Sequence, residues 1–310
     1  SLLMAFYQTP TFPRFYINSL EWLDSLGVIN IYPIARTLPI KHTETIGGFA
    51  QNFGGMSIGG SNNFIALLGH DIDHWYTIKG ESGSSGDSNM PITDVINRGY
   101  NGGQNKYNPQ YKGFSIGTFN GTDLTLLNFD LSFNRNVGSI VFGSYFDLSS
   151  SEISLKMHRD MDGVKNVRTK GGADLVHHKF LKGPKWGSLA PWELGSGAVN
   201  QELARVGRRS WSLSFNHLSH DDTFPKYMSS STFETDDVNS PDPDQYTLMG
   251  SDDFFTNVLN KVGNRPFIFN PAGGGDSPNN APDMFSIAKF DMKSFQFTQI
   301  SHTIYSVKIN

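Results

Sequence analysis

The stretch Arg208-Arg209-Ser-Trp-Ser-Leu-Ser-Phe-Asn-His-Leu218 decides the class of fold. Trp211, Leu213 and Phe215 alternate with Ser212, Ser214 and Asn216, the period of two that gives a strand one apolar face. Downstream, Ser251 stands where a helix cap is needed, with Asp252 and Asp253 in the first turn. Phe254, Phe255, Val258, Leu259 and Val262 then fall on one face before Gly263 ends the helix. Arg265-Pro-Phe-Ile-Phe-Asn-Pro271 reads as a strand bounded by prolines. Three alternating runs, Met284 to Phe290, Ser294 to Ile300 and Thr303 to Asn310, close the chain.

Outside this unit the pattern is also mostly β. Phe15-Tyr-Ile and Val28-Ile-Asn-Ile-Tyr32 read as strands flanking a short helix in Asn18 to Gly27, with Ser19 as cap, Leu20, Trp22, Leu23 and Leu26 apolar, and Gly27 as stop. Both strands are expected as edge pieces of the C-terminal unit. Phe64-Ile-Ala-Leu-Leu68 reads as a buried strand. Residues 80–113, dominated by Gly, Ser and Asn, read as a long surface loop. Leu124 to Phe133, Val137 to Phe146 and Ile153 to Met157 then follow as antiparallel strands.

The ordered set of a W-x-L-x-F strand, a short helix, Pro266-Phe-Ile-Phe-Asn-Pro271 and terminal antiparallel strands resembles the tail-tip and distal tail proteins of tailed bacteriophages. The resemblance implies a split β-barrel of tail-tube type that assembles into rings, hexamers by resemblance. Asn63-Phe-Ile-Ala-Leu-Leu-Gly-His70 is similar to a strand and turn of galactose-binding-like β-sandwiches. The expected fold is therefore mainly β: a galactose-binding-like β-sandwich over 47–160 and a tail-tube-like split β-barrel with one short helix over 161–310. Residues 1–46 form an N-terminal segment that completes the barrel.

The implied function is structural, without catalysis, cofactor or metal: a ring that joins the tail tube to the tip or baseplate. Its partners would be itself, the tube, hub and tip proteins, and a host-surface glycan. Its place would be the virion, after synthesis in the host cytoplasm. The rival reading is a carbohydrate-binding module in which Trp75, Tyr76, Tyr100, Tyr107 and Tyr111 stack on sugars.

Composition bounds these readings. At 310 residues the chain has room for about two domains of ~100–200 residues each. Gly 32, Phe 24 and Tyr 11 against 17% charged residues favour β structure over helix bundles. A net charge of −4 gives no basic surplus for nucleic acid, and no sequence-specific nucleic-acid contact is expected. With no cysteine there is neither disulfide framework nor thiolate chemistry. No apolar run approaches the ~20 residues of a membrane span. The opening Ser-Leu-Leu-Met-Ala-Phe-Tyr lacks the charged-then-apolar order of a secretory signal.

Charge is unevenly spread. Residues 154–209 hold eleven Lys and Arg against five Asp and Glu, whereas 221–253 hold nine acids against Lys226 alone. A contact between subunits pairing Lys179, Lys182 and Lys185 with Glu234, Asp236 and Asp237 would use that asymmetry; solvated loops of unequal sign are the plainer reading.

Chemistry-bearing clusters are few. Gly55-Met-Ser57-Ile-Gly59 and Gly113-Phe-Ser115-Ile-Gly117 match G-x-S-x-G, but neither joins a parallel strand to a helix as a nucleophile elbow must, so glycine-flanked strand edges are expected. His70-Asp71-Ile-Asp73-His74 has metal-ligand chemistry, as does His217 with His220, Asp221 and Asp222. The first cluster follows an apolar strand at Gly69, and polar turn residues that satisfy backbone groups are the preferred reading of both.

Overall fold

The computed structural model describes residues 11–37, 44–52, 58–70, 72, 76–82, 87–89, 93–96, 98–101, 106–108, 114–148, 152–159, 164–178, 209–219, 223, 253–275, 278–281 and 284–310. The chain is mainly β, every described pairing is antiparallel, and the described strands form one sheet of twelve, one of four and a separate hairpin. The large sheet runs β16-β15-β1-β10-β3-β9-β4-β8-β7, with β2 and β6 also on β9 and β5 on β4. Its members are β1 (Thr11–Asn18), β2 (Glu44–Asn52), β3 (Ile58–Leu68), β4 (Tyr76–Ser82), β5 (Asp87–Asn89), β6 (Thr93–Ile96), β7 (Arg98–Asn101), β8 (Lys106–Asn108), β9 (Phe114–Val137), β10 (Ser139–Asp147), β15 (Phe267–Gly275) and β16 (Ser286–Ala288).

β1 is the strand on which this sheet turns. Phe15, Tyr16 and Ile17 pair with Phe146, Tyr145 and Ser144 of β10 on one side, and Phe15 and Tyr16 with Phe269 and Ile268 of β15 on the other. Both edges are therefore occupied, and both faces are buried. Phe15 and Ile17 enter one core while Tyr16 enters another on the opposite face. The same parity continues along β10 and β3, where Ile65, Leu67, Ile140 and Phe142 face α1 (Ser19–Ser25), and Phe64, Ala66, Leu68 and Val141 face away. A strand buried on both faces needs an unbroken apolar run, which is what Phe64 to Leu68 supplies. On the far face the Tyr16 and Phe64 rings meet edge-on at 5.0 Å, although β1 and β3 are separated by β10, and Phe285 packs on both Tyr16 and Phe114. The sheet is curled around these rings.

The second sheet is β11-β14-β18-β17, formed by β11 (Glu152–Arg159), β14 (Arg209–Ser219), β17 (Phe297–Ser301) and β18 (Ile304–Ile309). Leu213, Phe215, Val307 and Ile309 turn their side chains onto Phe15, Phe267 and Phe269 of the large sheet, with Val258 and Leu259 of a π-helical segment (Phe255–Asn260) and its flanking residues Phe254 and Val262 filling the space between. Phe15 is the hub, its ring within 5.3–6.4 Å of Phe254, Phe267, Phe269 and Phe290. Buried aromatic pairs of this kind add about 0.5–1.5 kcal/mol each beyond their area. The alternation of β14 slips one residue after Phe215, where the ladder shifts and His217 takes φ 60, so that Leu218 rather than His217 is buried.

Several local expectations need correcting. Asn18, not Ser19, caps α1: its Oδ1 accepts from the Glu21 amide at 3.1 Å, while Glu21 Oε2 accepts from the Thr37 amide and hydroxyl. The Asn18 side chain thus caps the first turn, and the Glu21 carboxylate ties that turn to the Thr37 segment. Leu26 is exposed as the C-cap of α1, whose last helical residue is Ser25, while Gly27 at φ 72 reverses the chain, the stop expected of it. Val28 to Tyr32 forms no strand. It leads instead into a single 3-10 turn (Pro33–Ala35) that the Ser139 hydroxyl holds through the Arg36 carbonyl. Asp253 takes the capping role expected of Ser251, which lies outside the described residues; its Oδ1 accepts from the Thr256 amide at 2.8 Å. Residues 80–113, expected as a surface loop, include the end of β4 and the short strands β5 to β8, which at three or four residues are too short to show a hydrophobic period. A hairpin of β12 (Val164–Arg168) and β13 (Asp174–His178) pairs only with itself among the described residues.

One glycine is indispensable where β1 becomes α1. Gly143 of β10 lies opposite Asn18, and a Cβ there would overlap the Ile17 carbonyl oxygen and sit 2.6 Å from the Ser19 amide nitrogen. Both obstacles are backbone, so neither can rotate away. Gly143→Ala is expected to lose about 1–3 kcal/mol or more in chemical denaturation, against a change within about 0.5 kcal/mol for Gly171→Ala, an exposed turn position whose nearest neighbour would be 3.9 Å off. Equal melting of the two variants would contradict this packing.

Candidate functional site

The fold joins two of the sequence clusters. Ser115, from the second G-x-S-x-G string, and His70, from the His-Asp cluster, are 45 residues apart, yet His70 Nε2 lies 2.9 Å from Ser115 Oγ. The register explains it: β9 pairs Ser115 with Leu67 of β3, three residues before His70. Both side chains are buried, Ser115 to 1% and His70 to 4% exposure.

A serine–histidine contact can serve nucleophilic catalysis only if the nitrogen facing the hydroxyl is bare and can take its proton. Here the Ile72 amide donates to His70 Nδ1 at 3.2 Å, so in the neutral ring the proton sits on Nε2 and is directed at Ser115 Oγ. That is the tautomer of a structural hydrogen bond. Ser115 also lies inside a strand between β3 and β6, not at a strand-to-helix elbow. The arrangement closes the turn after β3 and satisfies two buried polar groups.

A second polar cluster is one the sequence reading missed. Arg14 forks onto Asp147, its register partner across β1 and β10, at 2.5 Å from Nε and 2.7 Å from Nη2. The guanidinium also lies 4.1 Å from the centre of the Tyr145 ring. Burial is the largest single influence and works against the Arg14 charge, but the Asp147 hydrogen bond together with the Tyr16, Asp147 and Tyr145 charges outweighs it and the net shift is upward. Burial likewise pushes the Tyr16 and Tyr145 hydroxyls up. The signal was present in the sequence as a single arginine inside the apolar run Phe12 to Ile17. Gly274 belongs to the same cluster, since a side chain there would come within 2.8 Å of the Asp147 carboxylate.

Of the five aromatic residues proposed for sugar stacking, three are brought together. Tyr76 of β4 is the register partner of Tyr107 of β8, which is in turn the partner of Tyr100 of β7. They form a lateral row across three neighbouring strands, which lie about 4.8 Å apart. Trp75 and Tyr111 lie outside the described residues, as do Asp71, Asp73, His74, Ser57, His220, Asp221 and Asp222. So do Lys179, Lys182, Lys185, Glu234, Asp236 and Asp237. Among the described residues no three His, Asp or Glu side chains converge as a metal-binding group.

An open groove of about 340 Å³ crosses the outer face of β14, β17 and β18, where Ser214, Thr298, Ser306 and Lys308 point away from the core. No helix among the described residues is long and apolar enough to cross a membrane. The chain is thus, by class, a mainly β protein built on antiparallel sheets. No family model matches it, and neither a curated protein nor a solved structure does.

Removing either member of the buried pair leaves the other unsatisfied. Ser115→Ala and His70→Ala are each expected to lower stability by about 1–3 kcal/mol, measured by denaturant midpoints. Ser115 is expected to stay unlabelled by a fluorophosphonate probe in the native protein. Rapid labelling at Ser115 would reverse the tautomer argument.

Proposed function

We propose that this chain is a structural subunit of a phage tail tip, a distal tail or adaptor protein whose ring joins the tail tube to the tip or baseplate. In this reading β14, the π-helical segment, β15 and the closing strands stand for the tail-tube-like barrel, and the strands around β3, β9 and β10 for the galactose-binding-like sandwich. The observation that carries it is the hairpin β12–β13. Its cross-strand pair Val167 and Leu175 is 46% and 59% exposed. A two-stranded hairpin is marginal alone in water, and an exposed apolar pair one rung from its turn gains stability when a neighbouring subunit covers it.

A head-to-tail ring also needs two unlike surfaces, and the basic stretch with Lys179, Lys182 and Lys185 and the acidic one with Glu234, Asp236 and Asp237 are of the required opposite signs. Negative-stain images of the purified chain are expected to show rings. Ring formation followed by light scattering should slow in one-molar salt, where the screening length falls to ~3 Å, and slow equally at low salt when the three lysines become glutamates. Reversing Glu234, Asp236 and Asp237 to lysines in the same chain should restore the rate. Single particles throughout, or no rescue, would sink this assignment.

The row Tyr76, Tyr107 and Tyr100 favours a second reading, a glycan contact. Adjacent aromatic positions suit successive sugar rings, as base stacking on aromatic residues suits single strands. Binding on a glycan array that disappears in Tyr107→Ala, with unchanged melting, is the expected result of that reading.

A further inference from the structure

β11 is the edge of the four-stranded sheet. β14 lies along one side, and among the described residues no strand lies along the other. Ile153, Leu155 and Met157 stand opposite Phe215, Leu213 and Trp211, so they belong to the core-facing side of the sheet. Leu213 and Phe215 are buried, yet Leu155 is 40% and Met157 51% exposed. The apolar layer under this sheet therefore runs out to an edge whose last row no strand among the described residues covers. Edge strands are ordinarily protected by charge, bulges or a covering element, because an open edge with apolar side chains recruits another strand.

We infer that β11 pairs antiparallel with β11 of a second copy, about a two-fold axis through Leu155, and extends the sheet from four strands to eight. The strand's own sequence selects the partner and the register. A two-fold normal to the sheet keeps both cores on one side, so each residue must meet another of the same face. Centred on Leu155, the core side sets Leu155 on Leu155 and Ile153 on Met157, while the outer side sets Ser154 on Lys156 and Glu152 on His158. Every apolar residue meets an apolar one, and the carboxylate meets the imidazole.

The neighbouring same-face registers are worse. Centring on Lys156 opposes two like charges and puts Ile153 against Arg159; centring on Ser154 leaves Met157, the most exposed of the row, beyond the paired stretch. A strand that is its own complement fits a second copy of this chain better than an unrelated peptide. The contact closes at two subunits and is independent of a head-to-tail ring, to which it would add only by joining two rings face to face.

The chain's lack of cysteine makes the test direct. Under mild oxidation Leu155→Cys is expected to form a covalent dimer at twice 34.4 kDa on a non-reducing gel. Lys156→Cys alone should stay at the monomer position. Mixed with Ser154→Cys, it should give the cross-linked dimer. The unmodified chain should sediment as a species with an even number of subunits at all but the lowest concentrations. Dimers without rings would keep this contact and remove the ring. A monomer across the concentration range, cross-linking of Lys156→Cys as fast as Leu155→Cys, or capture of β11 only by a different protein would each overturn the inference.

Discussion

The rest of the structure depends on the burial of β1 on both faces and its pairing along both edges. Phe15 stands between Phe146 and Phe269 in the ladder and Tyr16 between Tyr145 and Ile268, so one short segment near the start of the chain joins strands more than a hundred residues apart. Neither neighbour can replace it. Without β1, β10 and β15 each lose a strand, the Phe15 hub leaves the aromatic core, and Tyr16 leaves the opposite one. Deleting one large aromatic side chain from such a core costs about 3–5 kcal/mol, a large share of a typical stability of ~5–15 kcal/mol.

Polar groups fix what the apolar ones leave free. A strand with two apolar faces could slide by two residues without exposing either, and Arg14 opposes that by matching Asp147 in one register only. The Asn18, Glu21 and Thr37 network does the same for α1, tying its first turn to the segment after the 3-10 turn. Arg265 ties the end of the π-helical segment back to Ser25 of α1; burial lowers its pKa, and the nearby Glu21 charge counters that. The His70–Ser115 bond closes the turn beyond β3. These contacts direct the strands; the cores supply most of the stability.

Strand existence was legible wherever side chains alternate or run apolar. Trp211 to Phe215, Phe64 to Leu68 and Phe267 to Phe269 lie in strands at the positions their pattern implies. Pairing was not legible, because it depends on distant residues: nothing around Phe15 names Phe146 or Phe269 as its neighbours. Short strands such as β5 and β8 were hidden too, since Asp87–Asn89 and Lys106–Asn108 carry no hydrophobic period. The π-helical segment was read as a helix with the right buried face, and only its cap was misplaced, Asp and Ser being equally good caps. For the candidate site, sequence supplied Ser115 and His70 as members of separate clusters and Tyr76, Tyr100 and Tyr107 as scattered aromatics. Only the ladders bring them side by side.

The same ladders bear on function. With β1 lying beside β15, segments from both ends of the described chain share one sheet, and the subunit contacts proposed above presuppose that unit. Native-state hydrogen exchange tests that most directly. If β1 is the shared strand, the amides of Phe15 to Ile17, Val141 to Ser144 and Phe267 to Phe269 should exchange at one rate set by global unfolding. Fast, independent exchange of Phe267 to Phe269 while β10 stays protected would show that β15 opens without β1, and would contradict the account.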